Sequence, residues 1–147
     1  MPVPLKGIAI ALTLAAALPV AAEKWHSLKR DDAVNLSIDL DGIVREANDT
    51  VKFRYLVDFR KAQGSLAEGV QYRSIVVGAR VRCKAKTISL GHTDAYFAWG
   101  AAGDIVAKTA PEKGEAKFHP LEKGSSDFDL WQYLCDQPLK YTPPPKK

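Results

Sequence analysis

The sequence predicts an α+β domain: an antiparallel β-sheet of about six strands, with a C-terminal α-helix packed on it and tied to it by a disulfide. Three observations point there. From Val34 to about Thr109 the dominant apolar period is two, the repeat of a half-buried strand. After Ser126 the period changes to helical spacing. The two cysteines, Cys83 and Cys135, fall on the expected inward faces of a strand and of that helix.

The chain opens with Lys6 ahead of an apolar run from Gly7 to Leu18, then Pro19 and the small residues Val20-Ala21-Ala22. A positive start, an apolar middle of roughly 7–15 residues and a small-residue end make a cleavable secretory signal. The run is short of the roughly 20 residues that span a bilayer. Residues 1–22 are therefore expected to leave, with the domain occupying 23–137 and a flexible Pro/Lys-rich tail at 138–147. The expected location is periplasmic or secreted, with no transmembrane segment in the mature chain.

The strands follow in order. Leu36, Ile38 and Leu40 alternate with polar residues, and Asp41-Gly42 supplies a tight turn. Ile43 to Glu46 returns, and Asn48-Asp49 turns again. Val51, Phe53, Tyr55, Val57 and Phe59 then point one way while Lys52, Arg54, Asp58 and Arg60 point the other, with Leu56 as the exception. Lys61 to Gly69 reads as a mobile loop. A long strand is expected from about Tyr72 to Lys86, with Ile75, Val77, Ala79, Val81, Cys83 and Ala85 inward and a bend at Gly78. Thr87 to Leu90 and Ala95 to Trp99 continue the sheet, and Asp104 to Thr109 ends it. Ala110 to Gly124, with Pro111, Gly114 and Pro120 inside it, reads as an exposed loop. Ser126 with Asp129 resembles a capping box. Phe128, Trp131, Leu134 and Cys135 share one face of a short helix that stops near Pro138.

An even cysteine count in an exported chain argues for a disulfide, and two cysteines allow one pairing. Free buried thiols and a share in a metal site are the alternatives. Structural zinc, however, takes four ligands with close cysteine spacing, which this pair lacks.

The formal net charge is +4, and loss of residues 1–22 removes Lys6 and no acid. A mild positive excess favours polyanions weakly and identifies no partner. The mature chain holds no P-loop, glycine-rich dinucleotide turn, His-Glu-x-x-His or Gly-x-Ser-x-Gly. His92 and Asp94 share a strand face but are only two ligands, and Asp39 with Asp41 reads as a solvated hairpin end. No catalytic set, metal or cofactor is expected, so the chain reads as a binding protein and not an enzyme. Trp25, Tyr96, Phe97 and Trp99 are either core or interface, or else line a ligand pocket. The candidate anionic-ligand residues are Arg80, Arg82, Lys84 and Lys86, which at period two stand in one row roughly 7 Å apart. Such a row suits sulfate or phosphate groups on a polymer, or else guards a solvated edge. It lacks the interleaved aromatics that stack bases, and export makes nucleic acid a poor partner.

The layout resembles the surface-adhesin E family of exported bacterial proteins. The residues that carry the resemblance are Trp25, the strand with Ser37-Ile38-Asp39, the charged hairpin into Val51 to Phe59, Cys83, and the Ser-rich cap, aromatic helix and cysteine of Ser125 to Cys135. It covers about Trp25 to Pro138. The resemblance implies a sheet with a disulfide-tied C-terminal helix, leaves homodimerisation open, and brings with it the adhesion to host matrix or serum proteins of the best-known member. The best-known member has an anchoring cysteine at its mature N-terminus and this chain has none there, so a lipoprotein is not expected. The function expected is exported adhesion to a protein or an anionic polymer. A periplasmic small-ligand carrier, or an inhibitor of a cell-wall-degrading enzyme, is the alternative.

Overall fold

A computed structural model of the protein describes residues 25–65, 69–111 and 117–136. The expected signal segment, 1–22, and the expected flexible tail, 138–147, lie outside the described residues. One antiparallel sheet runs in the order β1 (Trp25–Arg30), β2 (Val34–Asp39), β4 (Thr50–Ser65), β5 (Val70–Arg82), β6 (Thr87–Ala98) and β7 (Ala102–Thr109). Two short strands sit beside this path: β3 (Val44–Glu46) on β4, and β8 (His119–Pro120) on β6. The helix α1 (Ser126–Asp136) follows.

β4 is built as its alternation dictates. Val51, Phe53 and Tyr55 are buried beneath α1, along with Leu36 and Ile38 of β2 and Val77, Ala79 and Val81 of β5. Ile88, Leu130 and Leu134 close this core. Burying side chains of this size contributes about 1.5–3 kcal/mol each. Leu56, the exception on the opposite face, is also buried, between Ser37 and Val76 in the register.

The structure corrects several expectations. β1 is a strand that the sequence reading passed over, paired with β2 from Trp25↔Asp39 to Arg30↔Asn35. Asp39 is not solvated. It is buried, caps a 3-10 turn at Leu40–Gly42, accepts from the Asp41 N–H (3.1 Å) and pairs with Arg54 Nη2 (2.8 Å). That turn lets β2 and β3 share one edge of β4 in succession. β4 continues to Ser65 through part of the predicted loop, pairing with Val70–Tyr72.

β5 ends at Arg82, not Lys86. Asp49 stops it: its carbonyl accepts the Cys83 N–H (3.1 Å) and its carboxylate the Lys84 N–H (2.6 Å). Residues 83–86 turn instead, with Lys86 at φ 53°. The predicted bend at Gly78 is a register shift between Val77 and Ala79.

Ser125, and not Ser126, caps α1 by accepting the Phe128 N–H (3.2 Å). The buried face centres on Leu130 and Leu134, flanked by Trp131 and Cys135. Cys83 and Cys135 are bonded, with Cα atoms 5.6 Å apart, and the Trp131 indole N–H donates to the Cys83 carbonyl (3.1 Å). The helix is thus fixed to the sheet at the end of β5.

Candidate ligand-binding surfaces

The four cations singled out by spacing do not form one row. Arg80 and Arg82 lie on β5, whereas Lys84 and Lys86 sit on the turn beyond it. Three of the four rest against a neighbouring side chain. Arg80 Nε binds Glu46 Oε1 at 2.7 Å. The Arg82 guanidinium lies 3.8 Å over the Phe118 ring, and the Lys86 ammonium 5.6 Å from the centre of Trp131. Arg82, Lys84 and Lys86 remain exposed. The arrangement is a cationic corner, where the turn 83–86 meets the helix, and not a stripe. Cations resting on aromatic faces keep their charge available to an anion.

The other end of the sheet carries a second feature. The β4–β5 register jumps from Asp58↔Ser74 to Gln63↔Tyr72, so residues 59–62 leave the ladder. The freed Phe59 carbonyl accepts the Trp99 indole N–H (2.7 Å), and Asp58 Oδ1 accepts the Gly100 N–H (2.7 Å). Ser74, fully buried, donates to the Ala98 carbonyl (2.6 Å) and accepts from the Ala101 N–H (3.1 Å). The β6–β7 turn is therefore fastened across β5 onto β4. Trp99 is nevertheless 54% exposed and Phe97 52% exposed, so neither belongs to the core. Trp25 and Tyr96 are half-buried. Arg73 lies 4.7 Å over the Trp99 ring. Beside Trp99 an open depression of about 410 Å³ is lined by Arg30, Asn35, Asp58, Phe59 and Arg60. These five residues were not singled out by the sequence, because three strands contribute them and no spacing links them.

A second depression, about 550 Å³ and also open, runs between β1 and α1, from Leu28 and Lys29 to Gln132, Tyr133 and Asp136. The Lys29–Asp129 ion pair (3.4 Å) lies along it. His26 stacks on Tyr133 (5.8 Å).

Among the described residues, Asp31, Asp127 and Tyr55 titrate away from their ordinary values. The Val34 and Ala33 N–H groups hold the Asp31 carboxyl below its usual range. Burial pushes the Asp127 carboxyl up. Burial, with the Asp127 charge nearby, pushes the Tyr55 phenol up. No group of three or more His, Cys, Asp or Glu among the described residues is arranged to hold a metal. No described helix is long and apolar enough to cross a membrane.

The class of the molecule is thus an antiparallel sheet covered toward one end by a disulfide-tied helix, with cations and aromatics on its surface. The profile of the family described as Surface-adhesin protein E matches residues 25–136, and the chain belongs to that family. The structure of protein E from non-typeable Haemophilus influenzae is similar in fold: TM-score 0.55 at 21% identity, covering 76% of this chain and 75% of that one. Crystal form II of Haemophilus influenzae protein E gives 0.54 at 18% identity, covering 74% and 91%. Comparison with curated proteins gives no significant match. Family membership makes this chain an adhesion module of the surface-adhesin type.

Proposed function

We propose that the protein is a non-enzymatic exported adhesion module that holds a protein or an anionic polymer through sheet surface and loops. Its cationic corner, Arg82, Lys84 and Lys86 with Arg80 behind them, is the contact proposed for the anionic groups. The observation that carries this is that three cations stand exposed around one turn, while Arg80 behind them is engaged by Glu46 among the described residues. An enzyme reading lacks a nucleophile–base pair in either depression. A carrier reading fits less well, because both depressions open to solvent. Attraction of this kind is screened over about 8–10 Å of salt solution, so binding should weaken steeply with ionic strength. The test is retention of the exported domain on a sulfated-polymer column. Arg82→Gln, Lys84→Gln and Lys86→Asn together should elute at clearly lower salt, asparagine being chosen because it tolerates the left-handed backbone of residue 86. Elution unchanged from the wild type overturns the assignment.

A further inference from the structure

We propose that the depression beside Trp99 is a subsite for one acidic sugar unit, a uronate-type ring within a longer glycan. The groups present match that chemistry piece by piece. An indole offers a flat apolar face for the C–H side of a pyranose ring. Here the ring is held before any ligand arrives, by its N–H on the Phe59 carbonyl and by Arg73 across it. A side chain already fixed loses little conformational freedom on binding. Trp99 is still more than half exposed, so that fixing has not served to bury it.

Two guanidinium groups flank the same depression. Arg60 donates its Nε to the Asp31 carbonyl (2.9 Å), which leaves its two terminal nitrogens for a ligand. Arg30 lies exposed at the end of β1. Guanidinium pairs with carboxylate or sulfate in a two-point geometry that a lysine cannot supply. The same wall carries an acceptor and a donor for hydroxyls. Asp58 uses Oδ1 for the Gly100 N–H, and its second carboxylate oxygen is the acceptor proposed for a ligand hydroxyl. The Asn35 carbonyl oxygen accepts from Ser27 Oγ (2.7 Å), leaving the amide hydrogens. A bare anion needs only the arginines, and a neutral sugar only the indole, Asp58 and Asn35; an acidic sugar uses all of them. A volume of about 410 Å³ lies toward the small end of the roughly 300–1,000 Å³ range of ligand pockets, and its open sides let a chain continue past it.

The site deepens the adhesion reading, naming the chemistry of one bound unit, but it is separate from the cationic corner. Ser74 and Arg82 are eight residues apart on β5, about 26 Å at strand rise. The experiment is titration of the ¹⁵N-labelled mature protein with hyaluronan tetrasaccharide, read at the indole N–H resonances. The Trp99 resonance should shift saturably while that of Trp131, at the helix, stays in place. Arg30→Ala and Arg60→Gln should each weaken the affinity about 10-fold, the cost of a charged hydrogen bond. Trp99→Ala should abolish it; because Trp99 also clips the turn to β4, the two arginine variants carry the test if that variant is unstable. An uncharged N-acetylglucosamine tetrasaccharide should bind far more weakly. No shift at Trp99, equal affinity for the uncharged chain, an identical shift with inorganic sulfate alone, or unchanged binding by Arg30→Ala would each overturn the proposal. Oligogalacturonate, run alongside, distinguishes a ligand made only of uronates from one in which they alternate. The Arg82, Lys84 and Lys86 variant should titrate like the wild type, so failure at Trp99 and failure at the corner are read independently.

Discussion

Removing the Cys83–Cys135 bond, by replacing both residues with alanine, perturbs one covalent link and little else. The bridge closes a loop with a sequence separation of 52. On the chain-entropy account, such a loop removes unfolded-state freedom worth about 4 kcal/mol at 25 °C. For a domain of this size, that corresponds to a fall in Tm of about 15–20 °C. The helix should not detach in the native state at room temperature, because Leu130 and Leu134 are fully buried and the Trp131 N–H still reaches the Cys83 carbonyl. The expectation is therefore a lower but cooperative melt with native near-ultraviolet Trp signals before it. Calorimetry and circular dichroism on the oxidised wild type and the double variant measure both. A fall of less than about 3 °C, under 1 kcal/mol, would show that helix packing alone fixes the unfolded reference and would refute the reasoning. A two-step melt, with the helix lost first, would refute the claim that Leu130 and Leu134 suffice to seat it.

Other outcomes follow from the polar groups. A Cβ at Gly42 would stand 2.7 Å from Asp39 Oδ2, the oxygen that Arg54 binds, so Gly42→Ala must displace that carboxylate. The expected cost is about 1–2 kcal/mol, a charged hydrogen bond discounted for the half-exposed Arg54. In a double-mutant cycle, Gly42→Ala and Asp39→Asn should be strongly sub-additive in urea denaturation; simple additivity would show that Gly42 acts elsewhere. Two acids should bend the pH profile of stability in opposite directions. Asp127 binds its proton more tightly folded than unfolded, so its contribution is full below the ordinary value of 3.8 and is lost as pH rises through the raised one. Asp31 has a depressed folded value, so its contribution is present above 3.8 and is lost as pH falls through it. Asp127→Asn should flatten the mildly acidic side of the curve, and Asp31→Asn the strongly acidic side. The same change from both variants would contradict the assignment.

The sheet was legible wherever one face is buried and the other wet. Val51 to Phe59 alternates because α1 covers one side, and the helix showed its period for the same reason. β1 was not legible: its residues are exposed or half-buried throughout, so nothing in Trp25 to Arg30 alternates. The extension of β4 past Phe59 was hidden because backbone pairing alone holds it, through residues that otherwise signal a turn. The error at Lys84 and Lys86 has a different origin. Cys83 faces the helix from the first position of a turn, so the inward–outward alternation of β5 carries on past the point where Asp49 takes over its backbone donors. The family likeness and the disulfide were readable from Cys83 and Cys135 with their flanking patterns. The depression at Trp99 was not, because an aromatic residue looks the same in sequence whether it fills a core or stands on a surface.

Length decides how much of this sheet the helix can cover. An 11-residue helix is about 16 Å long, whereas the 13 residues of β5 reach about 43 Å. One such helix covers less than half of the strand beneath it. The disulfide and the Trp131–Cys83 hydrogen bond place that cover at the Arg82 end. Toward Ser74 the sheet must hold itself together by other means, and it does so with the buried Ser74 hydroxyl, the Trp99 clip and the Phe59–Tyr72 edge contact (5.9 Å). Phe97, Trp99 and Ile105 stay exposed there. Apolar surface left open at one end of a small domain costs solubility and is retained where something else uses it. Under the function proposed above, the covered end supplies stability and the open end is the contact surface, so a partner seated there leaves the disulfide-bonded core undisturbed.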